Sequence, residues 1–403
     1  MNTQHLSHAA LDGDDTFAVV TTSGPDRPGV SAAFFRVLAS HSVELVDVEQ
    51  AIFSGRISLA AYITVDAAKL QALESGLRNT LSIYQQSVSV APKDEPIHSR
   101  ARSTHAVVVL GRTVTAEHFS TLSKEMANLD VNIDRIRGLS TSPLSGFELF
   151  VTVPDSAEEK VRGTLVRLAS ELGVDIAMER AGLQRRSKRL ICFDCDSTLI
   201  TGEVIEMLAA HAGKEEEVAA VTERAMRGEL DFEESLRERV ATLAGLPASV
   251  IEETAKDLTL TPGVRTTIRT LKRMGYRVAV VSGGFIQVLE DLAKELDLDY
   301  VRANTLEIVD GHLTGRVVGK VVDRKAKEEF LREFAADSGL AMRQTVAVGD
   351  GANDIDMISA AGLGIAFNAK PALRQVADAS VNYPYMDAIL QFMGIPMEEI
   401  PSE

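Results

Sequence analysis

The segment LICFDCDSTLI, residues 190–200, constrains the fold more than any other part of the chain. An apolar run of strand type leads straight into two carboxylates at alternate positions, Asp194 and Asp196, followed by the hydroxyls of Ser197 and Thr198. Aspartate is disfavoured inside strands, so the pair is expected where a buried strand ends, with both side chains on one face. In open α/β sheets that carboxyl edge is where ligands bind. Two acids there can divide the work of a reaction, one ionised as nucleophile and one protonated as acid. A D-x-D-S/T string alone equally suits a polar strand end followed by a helix cap.

Two further strand ends favour the chemical reading. YRVAVVSGGF is expected to end a strand at Ser282 and open a helix at Gly283-Gly284. TVAVGDGANDIDM is expected to end another at Gly349, ahead of Asp350, Asn353, Asp354 and Asp356. Strands that end in polar clusters, each followed by a helix, describe a doubly wound parallel α/β sheet with one active edge. A helical stretch over about 203–260, without a strong strand, intervenes as a candidate cap. LEIVDGHLTGRVV, with Asp310-Gly311 at its turn, reads as a structural hairpin, and the acidic run Glu215–Glu217 as a solvated helix face.

A carboxylate attacking a phosphate ester meets another anion, and the attack fails unless the repulsion is neutralised. A hard divalent cation held by oxygen ligands does this, and Mg²⁺ fits best. Asp194, Asp350 and a carbonyl near Asp196 can supply ligands. The Ser282 hydroxyl with the N–H groups of Gly283 and Gly284 can cradle phosphate, and a lysine is expected on the transferring phosphoryl group.

The first 180 residues carry no such clusters and instead repeat one order of elements. Strands are expected at Phe17–Thr22, Val43–Phe53, Arg56–Val65 and Ile83–Val90, with helices at Pro28–His41 and Ala67–Leu81. The second copy reads His105–Leu110, Ala116–Leu129, Val131–Leu139, Phe147–Val153, Ala157–Leu172 and Val174–Glu179. These are two ferredoxin-like βαββαβ units. Linker-like stretches at 91–104 and 180–189 separate the regions. The expected organisation is a flexible terminus 1–14, a module 15–91, a linker 92–103, a module 104–181 and a catalytic domain 182–403.

The first unit, with GPDRPGV between strand and helix, resembles an ACT domain, a small module that binds amino acids in that loop and at module interfaces. The resemblance implies a regulatory amino-acid site at Gly24, Asp26 and Gly29, with a free amino acid, serine foremost, as effector, and a homo-oligomer, expected to be a dimer. Pro28 suits a first helical turn, Gly29 allows close approach, and a helix N-terminus favours a carboxylate. The second unit keeps only Gly111, in LGRTVTAEHF, and lacks the D-x-P-G.

DCDST, VVSGGF, a lysine and GDGAND together resemble the haloacid dehalogenase superfamily of aspartate-nucleophile phosphotransferases, and within it the phosphoserine phosphatases, over about 189–396. The resemblance implies that Asp194 forms a phosphoaspartate and that Asp196 protonates the leaving serine oxygen and then activates water. It makes Ser282 and Gly283 phosphate binders and puts Lys327 in the lysine position, with Lys320 and Lys325 as neighbours. Mg²⁺ would be held around Asp194, Asp196, Asp350 and Asp354, with Asn353 supporting metal and phosphate. In the cap, Glu203 would meet the substrate ammonium, Arg239 its carboxylate, and Met207 and Phe232 would wall the pocket, with Arg237 as the decoy. The implied reaction is hydrolysis of O-phospho-L-serine in serine biosynthesis; the alternative is another small phosphate ester.

The chain has 403 residues and a formal net charge of −16, which argues against nucleic acid and anionic membrane as partners. No run approaches the ~18 apolar residues of a membrane span, and MNTQHLSHAALDGDD lacks the marks of a signal peptide, so a cytoplasmic location is expected. Cys192 and Cys195 are the only two cysteines and are expected to be reduced thiols on opposite faces of a strand. Eight scattered histidines give no zinc spacing.

Overall fold

The computed structural model describes residues 15–93, 103–226 and 229–400, so the terminus 1–14 and most of the 92–103 linker lie outside the described residues. The chain divides into two compact units between residues 101 and 102.

The first unit is an antiparallel sheet of β1 (Asp15–Pro25), β2 (Glu44–Phe53), β3 (Arg56–Asp66) and β4 (Ser87–Lys93), in the order β2-β3-β1-β4. Helices α1 (Val30–Ser40) and α2 (Leu70–Ser82) cover one face. Ala33, Phe34, Val37 and Leu38 recur at helical spacing and meet Leu73, Leu77 and Leu81 in one core. Two boundaries differ from the sequence expectation. β1 runs on to Pro25, and α1 starts at Val30 with Gly29 as its cap at φ 99°, so Pro28 precedes the helix instead of opening it. β4 starts at Ser87 because α2 runs to Ser82, Ile83 caps it, and Gln85 turns the chain at φ 58°.

The second unit opens with the same topology: β5 (His105–Gly111), β6 (Asn132–Ser140), β7 (Ser145–Thr152) and β8 (Asp175–Arg180) in the order β6-β7-β5-β8, with α3 (Ala116–Ala127) and α4 (Glu158–Leu172). Its larger part is a seven-stranded sheet. This contains β9 (Leu190–Phe193), β10 (Arg277–Phe285), β11 (Tyr300–Val309), β12 (His312–Val318), β13 (Thr345–Gly349), β14 (Gly364–Phe367) and β15 (Ala379–Val381). The order is β12-β11-β10-β9-β13-β14-β15, parallel throughout except for the β11–β12 hairpin. The chain enters at central β9, builds one wing and then returns to build the other. The switch point therefore lies beside β9, where such sheets bind ligands.

Side-chain alternation fills both faces of this sheet. Ile191, Phe193, Val278, Val280, Val346 and Val348 join one core, and Leu190, Cys192, Ala279, Val281 and Ala347 the other. Cys195 packs in the core opposite to that of Cys192, although it lies past the strand in the following turn, and both are buried free thiols. The hairpin closes through Asp310 and Gly311 at φ 50° and 75°, the left-handed pair of a two-residue turn. Four helices form the cap: α5 (Val204–Ala212), α6 (Glu215–Met226), α7 (Phe232–Ala241) and α8 (Ser249–Asp257). No helix among the described residues is long and apolar enough to cross a membrane.

The stretch 180–189, which reads as a linker in the sequence, is anchored through Arg185 and Lys188. Glu148, fully buried on β7, accepts from Arg137 and Arg185, and Glu179 accepts from Arg185 and from buried Lys188. Arg185 and Arg137 also donate to the carbonyls of Phe392 and Gly394 at 2.8 Å each. A basic run looks solvated until its partners, distant in sequence, are known.

Asp175 makes a second seam, accepting from the backbone N–H of Asn382 at 2.8 Å and from its Nδ2. Burial pushes this carboxyl up to about 6, against its two Asn382 donors. A raised folded-state value means that the group's contribution to stability is complete below its unfolded value and is lost as pH rises through about 6. Asp175→Asn cannot ionise and keeps an acceptor. Its stability relative to the natural chain should climb from pH 4 to pH 7 by up to about 3 kcal/mol, since each pKa unit is worth ~1.4 kcal/mol. Urea unfolding at both pH values measures this, and a constant difference would show that Asp175 ionises as in the unfolded chain.

Candidate active site

β9 ends at Phe193, and the aspartates come just after it. Asp194 is extended, its N–H donates to the Val348 carbonyl of β13 at 2.8 Å, and its Oδ1 accepts from the N–H of Cys195 at 2.8 Å. The chain then turns through Ser197, at φ 56°. The turn, in place of strand pleat, orients Asp196. Its Oδ1 accepts from the N–H of Val204 at 2.8 Å and its Oδ2 from the Ser282 hydroxyl at 3.1 Å. Ser197 donates to Glu203 Oε1 at 2.9 Å and so fixes the glutamate that caps α5. The sequence reading singled out Glu203 but not its anchor Ser197.

Gly283 and Gly284 do not open a helix, contrary to expectation. β10 continues to Phe285 and the next helix starts at Ile286. The Gly284 N–H donates to Ser282 Oγ at 2.8 Å, and a β-carbon there would sit 3.1 Å from Asp196 Oδ2. Buried Asn304 braces the segment from β11. Its Nδ2 donates to the Gly283 carbonyl at 2.8 Å while its Oδ1 accepts from the Val322 N–H at 2.8 Å. Nothing in the local sequence of Asn304 signals this role, because its partners, Gly283 and Val322, lie 21 and 18 residues away on either side.

Lys327 lies in the first turn of α9 (Arg324–Asp337) and is completely buried. Its Nζ donates to Asp194 Oδ1 at 2.6 Å and to Asp354 Oδ1 at 2.7 Å. Lys320 instead pairs with Glu329 at the surface and Lys325 is exposed. Asp354 Oδ2 accepts from the N–H groups of Asp350 and Gly351 at 3.1 and 3.0 Å. A β-carbon on Gly349 would fall 2.4 Å from that oxygen, so only glycine lets the strand end so close to Asp354.

Oxygens of Asp194, Asp350 and Asp354 lie within 4.8 Å of one another. The Asp196 carboxylate is turned to Val204 and Ser282 and stands outside that group. Burial, then the charge of Asp354, raises Asp194 well above the usual carboxylate range despite Lys327. The same two causes push Asp350 up to about 6. Burial and then Glu203 push Asp196 up to about 6, where an acid can give and take a proton near neutral pH. The cluster holds more negative charge than Lys327 neutralises, and its donors are all hard oxygens. That donor set fits a divalent cation of the magnesium type.

A cavity of about 330 Å³ opens over these groups, with Glu203, Phe232, Arg239, Gly283 and Asn353 in its wall. Met207 is not among the lining residues and lies near Gly202; Ile205 and Leu236 supply apolar wall instead. Lys370 also lines the cavity, its N–H donating to the Asp350 carbonyl at 2.9 Å. The sequence reading missed it because NAKPAL looks like a plain helix start. Arg239 donates to the Ser235 carbonyl at 3.3 Å and has no carboxylate partner among the described residues. Burial lowers its pKa, opposed by the charges of Glu203, Glu206 and Asp196. Arg237, the decoy, pairs with Glu233 on the exposed face of α7.

Of the residues expected to hold an amino acid, Gly24 and Gly111 are packed inside their own modules, while Asp26 and Gly29 are exposed. Gly24 is buried, with Gln85 O and Gln86 Nε2 at 2.7 Å from where a β-carbon would sit. Gly29 lies under the Tyr84 hydroxyl, at 2.9 Å by the same measure, and exposed Asp26 donates its N–H to the Gly55 carbonyl. Gly111 faces Val174 at 3.1 Å.

The profile of haloacid dehalogenase-like hydrolases matches residues 188–362, and ACT-domain profiles match 16–90 and 103–179. The fold and the acidic edge thus define a haloacid dehalogenase-like hydrolase behind two ACT domains. Phosphoserine phosphatase SerB2 of Mycobacterium tuberculosis is 54% identical over 384 residues, spanning 95% of this chain and 94% of the relative. The phosphoserine phosphatase of Streptomyces coelicolor is 49% identical over 398 residues, spanning 97% and 95%. Among solved structures, a haloacid dehalogenase family hydrolase from Salmonella enterica serovar Typhi superposes with a TM-score of 0.63 at 28% identity, over 73% of this chain and 99% of that one. The unliganded probable phosphoserine phosphatase of Vibrio cholerae gives 0.57 at 34% identity, over 73% and 88%. The chain belongs to the phosphoserine phosphatase family.

Proposed function

We propose that this enzyme hydrolyses O-phospho-L-serine to L-serine and phosphate through a phosphoaspartate on Asp194, in the cytoplasm, as a step of serine biosynthesis. The observation that carries the reading is one cavity lined by Asp194 and Asp350 of the acidic cluster, by Glu203 and by Arg239, which has no ion-pair partner among the described residues. Magnesium, held by Asp194, Asp350 and Asp354 with the backbone near Asp196, would offset the charge of the phosphoryl group against these carboxylates.

Asp194 attacks phosphorus as the ionised nucleophile. Asp196 gives its proton to the leaving serine oxygen, then takes one from the water that attacks the phosphoaspartate and frees Asp194. The Ser282 hydroxyl, the Gly283 N–H and Lys327 hold the phosphoryl oxygens, and Asn353 borders them. Arg239 grips the substrate carboxylate in a two-pronged pair, and Glu203 takes its ammonium. The ACT domains are proposed to sense a free amino acid, serine foremost, through the Gly24–Gly29 loop, in a homodimer.

Phosphate release from a panel of phosphoamino acids and sugar phosphates tests the reading, with and without chelator and free serine. Phosphoserine should be preferred, chelator should silence the reaction, and serine should modulate it. A sugar phosphate turned over as well as phosphoserine would return the substrate to the alternative.

A further inference from the structure

The basic run that links β8 to β9 does more than bridge domains. It contributes Arg185, Arg186 and Arg189 to a cavity of about 430 Å³, and β6 of the second ACT domain contributes Arg135 and Arg137. Among the described residues Glu399 is the one acid in its wall, in a chain whose formal net charge is −16.

Two of the five guanidiniums are committed. Arg185 and Arg137 are bound to Glu148, Glu179 and the carbonyls of Phe392 and Gly394. The other three have no carboxylate partner among the described residues. Arg135 lies over the Phe150 ring at 4.1 Å, Arg186 is exposed, and Arg189 donates to the carbonyls of Arg186 and Lys188, at 2.9 and 2.6 Å, and lies 5.9 Å from the Tyr276 ring centre. Cations crowded in a concave wall repel one another and attract anions. Guanidinium forks match phosphate oxygens in pairs. The volume far exceeds one phosphate and falls in the range of pockets for whole small molecules.

We propose that this cavity binds a small molecule carrying two or more phosphates, of the nucleoside di- and triphosphate class, across the seam between the second ACT domain and the phosphatase body. Arg135, Arg186 and Arg189 take the phosphates, and the apolar lining of Met274, Met393 and Ile395 takes the remainder.

Calorimetric titration of the full chain with pyrophosphate, ATP and inorganic phosphate, in chelator, tests this. Pyrophosphate and ATP should bind one site per chain and inorganic phosphate much more weakly. Arg135→Ala and Arg186→Ala should each weaken ATP binding about tenfold, the worth of one charge-assisted contact. Both arginines lack ion pairs, so the variants should fold, keep basal hydrolysis and unfold at the natural temperature. Asp194→Asn should bind ATP as the natural chain does. Absence of ATP binding, unchanged affinity in both arginine variants, or phosphate binding as tight as pyrophosphate would each overturn the proposal.

Discussion

Asp194→Asn should release no phosphate above background while folding normally. Asparagine is isosteric and keeps an oxygen for the Cys195 N–H and for Lys327, but it offers no carboxylate to attack phosphorus. The substitution also takes one charge out of a buried cluster with surplus negative charge, so thermal stability should hold or rise. Asp196→Asn, which removes only proton transfer, should lose roughly 10²–10⁴-fold, the usual worth of an acid–base group. Continuous phosphate assay and thermal unfolding measure the two together. Turnover of Asp194→Asn within about tenfold of natural would remove that residue as nucleophile.

Arg239→Ala should cut kcat/KM for phosphoserine by roughly 10²-fold or more, because it strands a substrate carboxylate in a closing pocket at a cost of a few kcal/mol. Hydrolysis of an aryl phosphate, which has no carboxylate to hold, should fall far less. Arg237→Ala, whose partner is the exposed Glu233, should match the natural enzyme on both substrates. Equal losses on both substrates in Arg239→Ala would mark the arginine as a structural part of the cap and sever it from substrate choice.

Much of this site was legible in the sequence because its residues sit in short runs at strand ends. Asp194, Asp196, Asp350 and Asp354 each stand within a few residues of an apolar strand, and the sheet brings those ends together. Lys327 needed the family resemblance to be told from Lys320 and Lys325. Ser197, Asn304 and Lys370 stayed hidden because each acts through hydrogen bonds that only the folded chain creates. The Gly283-Gly284 error has a local cause: glycine pairs suit a helix entry as well as an extended end, and only pairing of Phe285 with Asn304 decides it. The same blindness made residues 180–189 read as a linker, since Glu148, the partner of Arg185, lies far back in the chain.

The Glu148–Arg185 contact also bears on how such a protein can be cut and recombined. A chain begun near residue 181 would keep Arg185 and Lys188 but lose Glu148 and Glu179, the carboxylates that pair with them. Lineages that shuffle sensor cassettes onto this hydrolase would find one junction near residues 101–102, where the compact units part, and would have to unmake these ion pairs at the second ACT domain's own end. An enzyme of this family that lacks the second cassette should therefore carry other residues in place of Arg185 and Lys188.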